Sequence, residues 1–199
     1  MVGPAHLWEL KRRFQENFLR ARGLAPEHHL LDIDCGTLRG GTPLIAHLEP
    51  GHYCGVEVRA EVLEEAHKEL AEAGLEHKAP RLVLCEDIAS LVLRQHFDYV
   101  WAFSALIHMT DPILMDMLRF ARRHLAPTGA FYANVNIGSA VPREWQGFPV
   151  VYRSREDLSR AAAACGLTLE DLGELAAFGH VSGEPIADAQ HMMRFQLLR

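Results

Sequence analysis

Two acids and three glycines stand where a backbone turn could hold a polar, charged ligand. Asp32 and Asp34 precede Gly36, and Gly40-Gly41 follow. Glycine lets the backbone come close to a ligand, and a helix start offers free N–H groups and partial positive charge to an anionic group. Carboxylates beside those glycines suit a ligand that carries positive charge as well as a carboxylate. Glu57 stands where an acid accepts both hydroxyls of a ribose. Asp87-Ile88 pairs an acid with an apolar residue. That pair suits the amino group and ring of an adenine; the alternative is a helix N-cap by Asp87. His108 is the candidate general base, because imidazole titrates near neutrality. Its alternative is a histidine that caps or packs at a helix start.

Several chemistries are excluded. A dinucleotide fingerprint needs Gly-x-Gly-x-x-Gly, and Leu38 occupies its second glycine. No Gly-Lys-Ser/Thr follows the turn, so it is not a phosphate loop. The twelve histidines form no His-Glu-x-x-His or comparable set, and no metal site is expected. Cys35, Cys54, Cys85 and Cys165 include no Cys-x-x-Cys pair and read as buried reduced thiols of a cytoplasmic protein. Acidic residues outnumber basic ones, 26 to 20, for a net charge of −6, which disfavours a nucleic-acid partner. The longest near-apolar run, Tyr99 to Met109, falls short of the ~20 residues a membrane span needs. No signal peptide is expected.

The elements that must position these residues alternate in type. Ala5 to Arg22 has helical spacing, with Leu7, Leu10, Phe14 and Phe18 on one face and the basic residues 11–13 read as a solvated face. Strands are expected at 30–33, 53–58, 81–85, 97–103, 130–136, 167–175 and 191–198. Helices are expected from Thr42, as N-cap, to Leu48, then at 60–73, 88–93, 111–125 and 154–166. Ser154-x-x-Asp157 reads as a capping box. Ala126 to Gly129 reads as a turn, and 137–153 as a long loop. With 199 residues, 49% of them hydrophobic, the chain is expected to be one domain. Strands alternating with helices imply a parallel sheet covered on both faces, with ligands beyond the carboxyl ends of the strands.

The motifs then combine. Leu31-Asp32-Ile33-Asp34-Cys35-Gly36-Thr37 resembles the first motif of class I S-adenosylmethionine-dependent methyltransferases. Gly55-Val56-Glu57-Val58 resembles their second motif. Phe97-Asp98-Tyr99-Val100 with Ser104 to His108 resembles the fourth, and Leu125 to Phe131 the turn before strand five. Leu38-Arg39-Gly40-Gly41 is similar to a run in a smaller bacterial subgroup. The resemblance implies a Rossmann-like three-layer α/β sandwich with a seven-stranded, mostly parallel sheet whose last strand is antiparallel. It implies S-adenosylmethionine as cofactor. Asp32 and Gly36, with Asp34 and Cys35, would hold its methionine moiety, Glu57 and Val58 the ribose side, and Asp87 and Ile88 the adenine. Phe103 and Ser104 would line the cofactor near the transferring methyl.

Asp34 departs from the family's usual glycine. Aspartate tolerates left-handed backbone better than most residues, so the loop is expected to survive. Enzymes of this class acting on exocyclic base nitrogens or glutamine amides usually carry Asn/Asp-Pro-Pro-Tyr/Phe after strand four. Here Phe103-Ser104-Ala105-Leu106 stands instead, which leaves a small-molecule acceptor attacked through oxygen, nitrogen or carbon. The N-terminal helix (1–23) is a candidate lid. The stretch 138–153, with Arg143, Trp145, Phe148 and Tyr152, is a candidate substrate loop. The oligomeric state stays open, a homodimer included. The rival readings are a non-catalytic binding or protein-interaction domain on the same fold and, more weakly, a nucleotide-binding oxidoreductase.

Overall fold

The computed structural model describes residues 7–139 and 143–198. Ala5 and His6 of the expected first helix, and Pro142 and the Arg143 side chain of the expected substrate loop, lie outside what it describes. The order is α1 (Trp8–Ala21), β1 (Leu30–Ile33), α2 (Gly41–His47), β2 (Tyr53–Glu57), α3 (Ala60–Glu72), β3 (Arg81–Leu84), β4 (Phe97–Ala102), α4 (Asp111–His124) and β5 (Leu125–Ile137). Then come β6 (Arg143–Trp145), β7 (Phe148–Val150), β8 (Tyr152–Arg153), α5 (Arg155–Ala164), β9 (Leu167–Glu174), α6 (Pro185–Asp188) and β10 (His191–Leu197).

Seven strands run in the order β3-β2-β1-β4-β5-β10-β9, and β8 pairs with the end of β5. β10 is antiparallel to both its neighbours, β5 and β9, while β1 to β5 pair in parallel. Alternation along the strands builds the two cores. Leu31, Ile33, Val100, Ala102, Phe131 and Ala133 face α4 and α5, while Leu30, Trp101, Phe103 and Tyr132 face α1, α2 and α3. Successive side chains point to opposite faces, so each buried strand serves both layers.

Four expectations are corrected. No helix forms at 88–93: Arg123 Nη2 donates to the carbonyls of Ile88, Ala89 and Leu91, and Leu93 N donates to His124 Nε2 at 3.0 Å. The end of α4 thus takes the backbone groups a local helix would use. Thr42 is not an N-cap; the helix starts at Gly41, and Thr42 N donates to Leu38 O at 3.0 Å. Ala126 to Gly129 is part of β5, bulging between the pairs Phe97–Leu125 and Tyr99–Ala130. A Cβ at Gly129 would lie 2.8 and 2.9 Å from the carbonyl oxygens of Phe97 and Asp98. Finally, 137–153 holds the β6–β7 hairpin and β8. The Ser154 cap forms as expected, with Asp157 N donating to Ser154 Oγ at 3.0 Å.

Candidate active site

At the carboxyl ends of β1, β2 and β4 lies a cavity of about 940 Å³, within the size range of small-molecule sites. Of the residues singled out from sequence, Asp32, Asp34, Cys35, Gly36, Val58, Asp87, Ile88, Phe103, Ser104 and His108 all line it. Glu57 does not. Its side chain is wholly buried, and it accepts hydrogen bonds from Gly36 N (3.1 Å), Val58 N, Arg59 N and Arg59 Nε (3.0 Å each). The structure therefore places Glu57 behind the glycine turn rather than on the cavity wall. Its carboxylate ties the glycine turn to the end of β2, and no sequence pattern reports that geometry.

The turn itself is tightly wound. Asp34 N and Cys35 N both donate to Val56 O, at 2.8 and 3.1 Å. Asp34, Gly36 and Leu38 all have positive φ, at 62°, 58° and 61°. Asp34 therefore takes the left-handed conformation a glycine would take. Leu38, where the dinucleotide pattern wants glycine, does so too, held by complete burial.

The charges around the turn are unusually concentrated. Asp32 is buried, accepts from Tyr53 OH at 2.6 Å and has its pKa raised to about 7, chiefly by burial and, against the Tyr53 hydrogen bond, by Asp34 and Glu57. Asp34 is raised to about 6 by burial and by Glu57, with Arg59 and Arg39 opposing. Lys11, on the cavity wall, is lowered to about 8 by burial and by Arg39. The same wall thus offers acids and bases, a donor set that fits a zwitterionic amino-acid tail. Asp34, in the turn after β1, lines the cavity, whereas Glu57 at the end of β2 does not.

After β3, Asp87 accepts from Ala89 N at 3.0 Å in a local turn rather than capping a helix. On the other side Ser104 has φ 64°. Its N–H donates to Asn134 Oδ1 at 2.6 Å, and Asn134 Nδ2 donates to Gln190 Oε1 at 2.6 Å. This chain of hydrogen bonds holds the strained residue and links it to the segment before β10.

The outer wall comes from the segment around His108, the β6–β7 hairpin and α1. His108 is half-buried and its Nδ1 lies 2.8 Å from Pro149 O. A carbonyl only accepts, so Nδ1 carries the proton and Nε2 holds a lone pair in the neutral ring. Trp145 and Phe148 pack on the imidazole at 5.8 and 5.9 Å between ring centroids. Helix α1 is both core and wall. Phe14, Gln15, Phe18 and Leu19 are buried, Trp101 Nε1 donates to Gln15 Oε1 at 2.9 Å, and Arg12 Nε donates to Arg39 O at 3.1 Å. Leu7, Lys11 and Gln15 face the cavity.

Sequence reasoning missed Lys11, Arg39 and His180. Lys11 was expected on a solvated face. Yet it lies four residues from Leu7 and three from Phe14, the spacing of one helix face, so that signal was present. His180 has no sequence signature.

Among the described residues no group of three or more His, Cys, Asp or Glu is arranged to hold a metal ion. The four cysteines are buried and unpaired. No helix of the described residues is long and apolar enough to cross a membrane.

Comparison with known proteins agrees with this architecture. No curated protein matches the sequence. The CcbJ methyltransferase of Streptomyces caelestis superposes with a TM-score of 0.72 at 18% identity, over 94% of this chain and 90% of that one. An S-adenosylmethionine-dependent methyltransferase of Clostridium acetobutylicum gives 0.71 at 15% identity, over 98% and 93%. The glycopeptide N-methyltransferase MtfA, complexed with S-adenosylmethionine, gives 0.70 at 16%, over 92% and 93%. At such identities the likeness is one of fold. A family model described as a methyltransferase domain matches residues 31–131, just over half of the chain, and the chain therefore belongs to the methyltransferase domain family.

Proposed function

We propose that this enzyme binds S-adenosylmethionine in the cavity above β1, β2 and β4 and transfers its methyl group to a small-molecule acceptor. The carrying observation is the pairing of opposite charges at the first turn: Asp32 and Asp34 beside Arg39, at a strand-to-helix bend. When bound, the cofactor supplies an activated methyl group; the chain supplies alignment and exclusion of water. Asp32 takes the ammonium of the methionine moiety and Arg39 its carboxylate, beside Cys35 and Gly36. Asp34 and Val58 face the ribose, with Glu57 fixing the turn from behind. Asp87 and Ile88 hold the adenine, and Phe103 and Ser104 flank the reacting centre.

The cavity walled by α1 and the β6–β7 hairpin has the volume of a small-molecule site, which supports a small acceptor. The glycopeptide N-methyltransferase MtfA fits that reading. The run Leu38 to Gly41 supports placement in the bacterial subgroup. Nε2 of half-exposed His108 receives the proton released by the acceptor, directly or from a deeper base, and passes it to solvent. The layout favours an active enzyme over a binding-only domain, because Asp34 occupies the turn without closing it.

Calorimetry with S-adenosylmethionine and with NAD tests the assignment. Binding of the first alone is expected; binding of NAD, or of neither, overturns it. For His108, His108→Ala is expected to lower turnover once an acceptor is known, and unchanged turnover removes it from the proton path.

A further inference from the structure

The segment between β9 and β10 carries a buried His–Asp pair that the cofactor site does not use. His180 is 1% exposed, lines the cavity, and has Nδ1 3.1 Å from Asp188 Oδ1. Asp188 is held rigidly. Ser182 N donates to both its oxygens at 2.8 and 3.1 Å, Ser182 Oγ donates to Oδ1 at 2.7 Å, and Gly183 N donates to Oδ2 at 3.1 Å. An ionised carboxylate only accepts, so His180 Nδ1 carries the proton and Nε2 is left with a lone pair. That Nε2 is buried and has no hydrogen-bond partner among the described residues. An orphaned buried acceptor is unfavourable, and structures that retain one commonly fill it with a ligand or water.

Its neighbours specify what would complete it. The ring packs edge-on against Phe14 at 5.1 Å and lies 5.8 Å from Phe103, the residue at the end of β4 beside the reacting centre. Two charged groups act on it: Asp188 from α6 and Lys11 from α1. The Lys11 ammonium makes no ion pair or side-chain hydrogen bond among the described residues. Lone-pair base, apolar walls and the Lys11 ammonium thus converge on one corner.

We infer that the His180–Asp188 pair is a general base for an acceptor hydroxyl, with Lys11 steadying the negative charge that builds on its oxygen. This rests on the methyl-transfer reading above and names its acceptor as a hydroxyl compound with an apolar body. An ammonium acceptor would meet Lys11 as a like charge. In the step, the hydroxyl proton moves to His180 Nε2 and an oxygen lone pair forms the O–CH₃ bond. The methyl–sulfur bond breaks with its pair left on sulfur, so the sulfonium departs as a neutral thioether. Burial and Lys11 hold the His180 pKa below the usual histidine range despite Asp188, so the base is neutral at physiological pH.

Imidazole ¹⁵N NMR of the full chain provides a readout independent of activity. His180 is expected as the Nδ1–H tautomer, neutral at pH 7, with that preference lost in Asp188→Asn. An Nε2–H tautomer or an imidazolium at pH 7 overturns the proposal. Methyl transfer is then measured with phenols and primary amines of matched size. Phenols are expected to react in preference, and His180→Gln to lower kcat by ~10²-fold or more with cofactor affinity unchanged by calorimetry. Asp188→Asn, the second variant should His180→Gln fail to fold, is expected to shift the pH profile. A preference for amines, turnover of none of the phenols, or a His180→Gln enzyme within ~3-fold of wild type overturns the proposal; so does a large loss confined to His108→Ala. Failure of wild type to bind S-adenosylmethionine would instead sink the broader reading, and the tautomer would still decide the pair.

Discussion

Replacing Asp32 with asparagine should make the unliganded protein more stable at neutral pH while weakening cofactor binding. Asp32 lies fully buried at the end of β1 with Tyr53 OH on one oxygen, and its pKa is raised from 3.8 to about 7. The sign follows from proton counting. Between pH 4 and 7 the unfolded chain carries an ionised Asp32 while the native protein keeps it protonated. The native state binds more protons there, so stability falls as pH rises and levels off above about 7. At about 1.36 kcal/mol per unit, the change from 3.8 to about 7 amounts to about 4 kcal/mol. Asparagine keeps an acceptor for Tyr53 and has no charge to desolvate. Urea unfolding at several pH values should therefore give curves for wild type and Asp32→Asn that diverge by about 4 kcal/mol between pH 4 and 7. Asp34, raised to about 6, titrates in both proteins and largely cancels. Saturating S-adenosylmethionine should flatten the wild-type curve, because its ammonium offsets the buried charge. Parallel curves without ligand would refute the reasoning, since Asp32 would then ionise as an ordinary carboxylate.

Other substitutions test separate parts of the structure. Gln15→Leu strands the Trp101 N–H, which donates to Gln15 Oε1 at 2.9 Å, and should lower unfolding stability by about 1–3 kcal/mol, read by urea titration. Gly129→Ala drives a Cβ to within 2.8 Å of the Phe97 carbonyl oxygen; a loss of about 1–3 kcal/mol is expected, seen as a lower Tm. Trp145→Ala removes one ring from the stack on His108 and should raise the KM for acceptor by ~10-fold with the Kd for S-adenosylmethionine unchanged by calorimetry. A change in cofactor Kd would place Trp145 on the wrong side of the cavity.

What sequence reading recovered here is local or periodic. β1, β2 and β4 are short apolar runs bounded by turn residues, and both core faces follow from alternation along them. The glycine turn and its acids are contiguous in sequence, so they were found together. What escaped depends on partners far along the chain. The stretch 88–93 has an apolar pattern that suits a helix, but Arg123 and His124 take its backbone groups. Glu57 was found for its position, yet its use is set by Gly36 N, 21 residues before it. Lys11 was grouped with Arg12 and Arg13 by adjacency, although only Arg13 is exposed and paired with Glu9. Adjacency was the wrong neighbour relation in a helix, where residues three and four apart share a face.

Residues outside the span of the family match complete the cavity. Residues 31–131 carry the family match, and they include the glycine turn, Asp87, Phe103 and His108. Lys11, Trp145, Phe148, His180 and Asp188 all lie outside that span, in α1, the β6–β7 hairpin and the segment before β10. Lys11, Trp145, Phe148 and His180 nonetheless line one cavity with the family-matched residues, and β10, which follows the His180 segment, pairs with β5 in the same sheet. The Ser104–Asn134–Gln190 hydrogen bonds cross that boundary, linking Ser104, at φ 64°, to the strand that follows the His180 segment. Cutting that link with Asn134→Leu would leave Ser104 N–H unpaired at φ 64°. The loss should fall on kcat more than on cofactor affinity, because the turn proposed to hold the amino-acid tail follows β1, two strands from Asn134. Pre-steady-state turnover alongside calorimetry separates the two; an equal loss in both would mean that cofactor and acceptor ends form one inseparable unit.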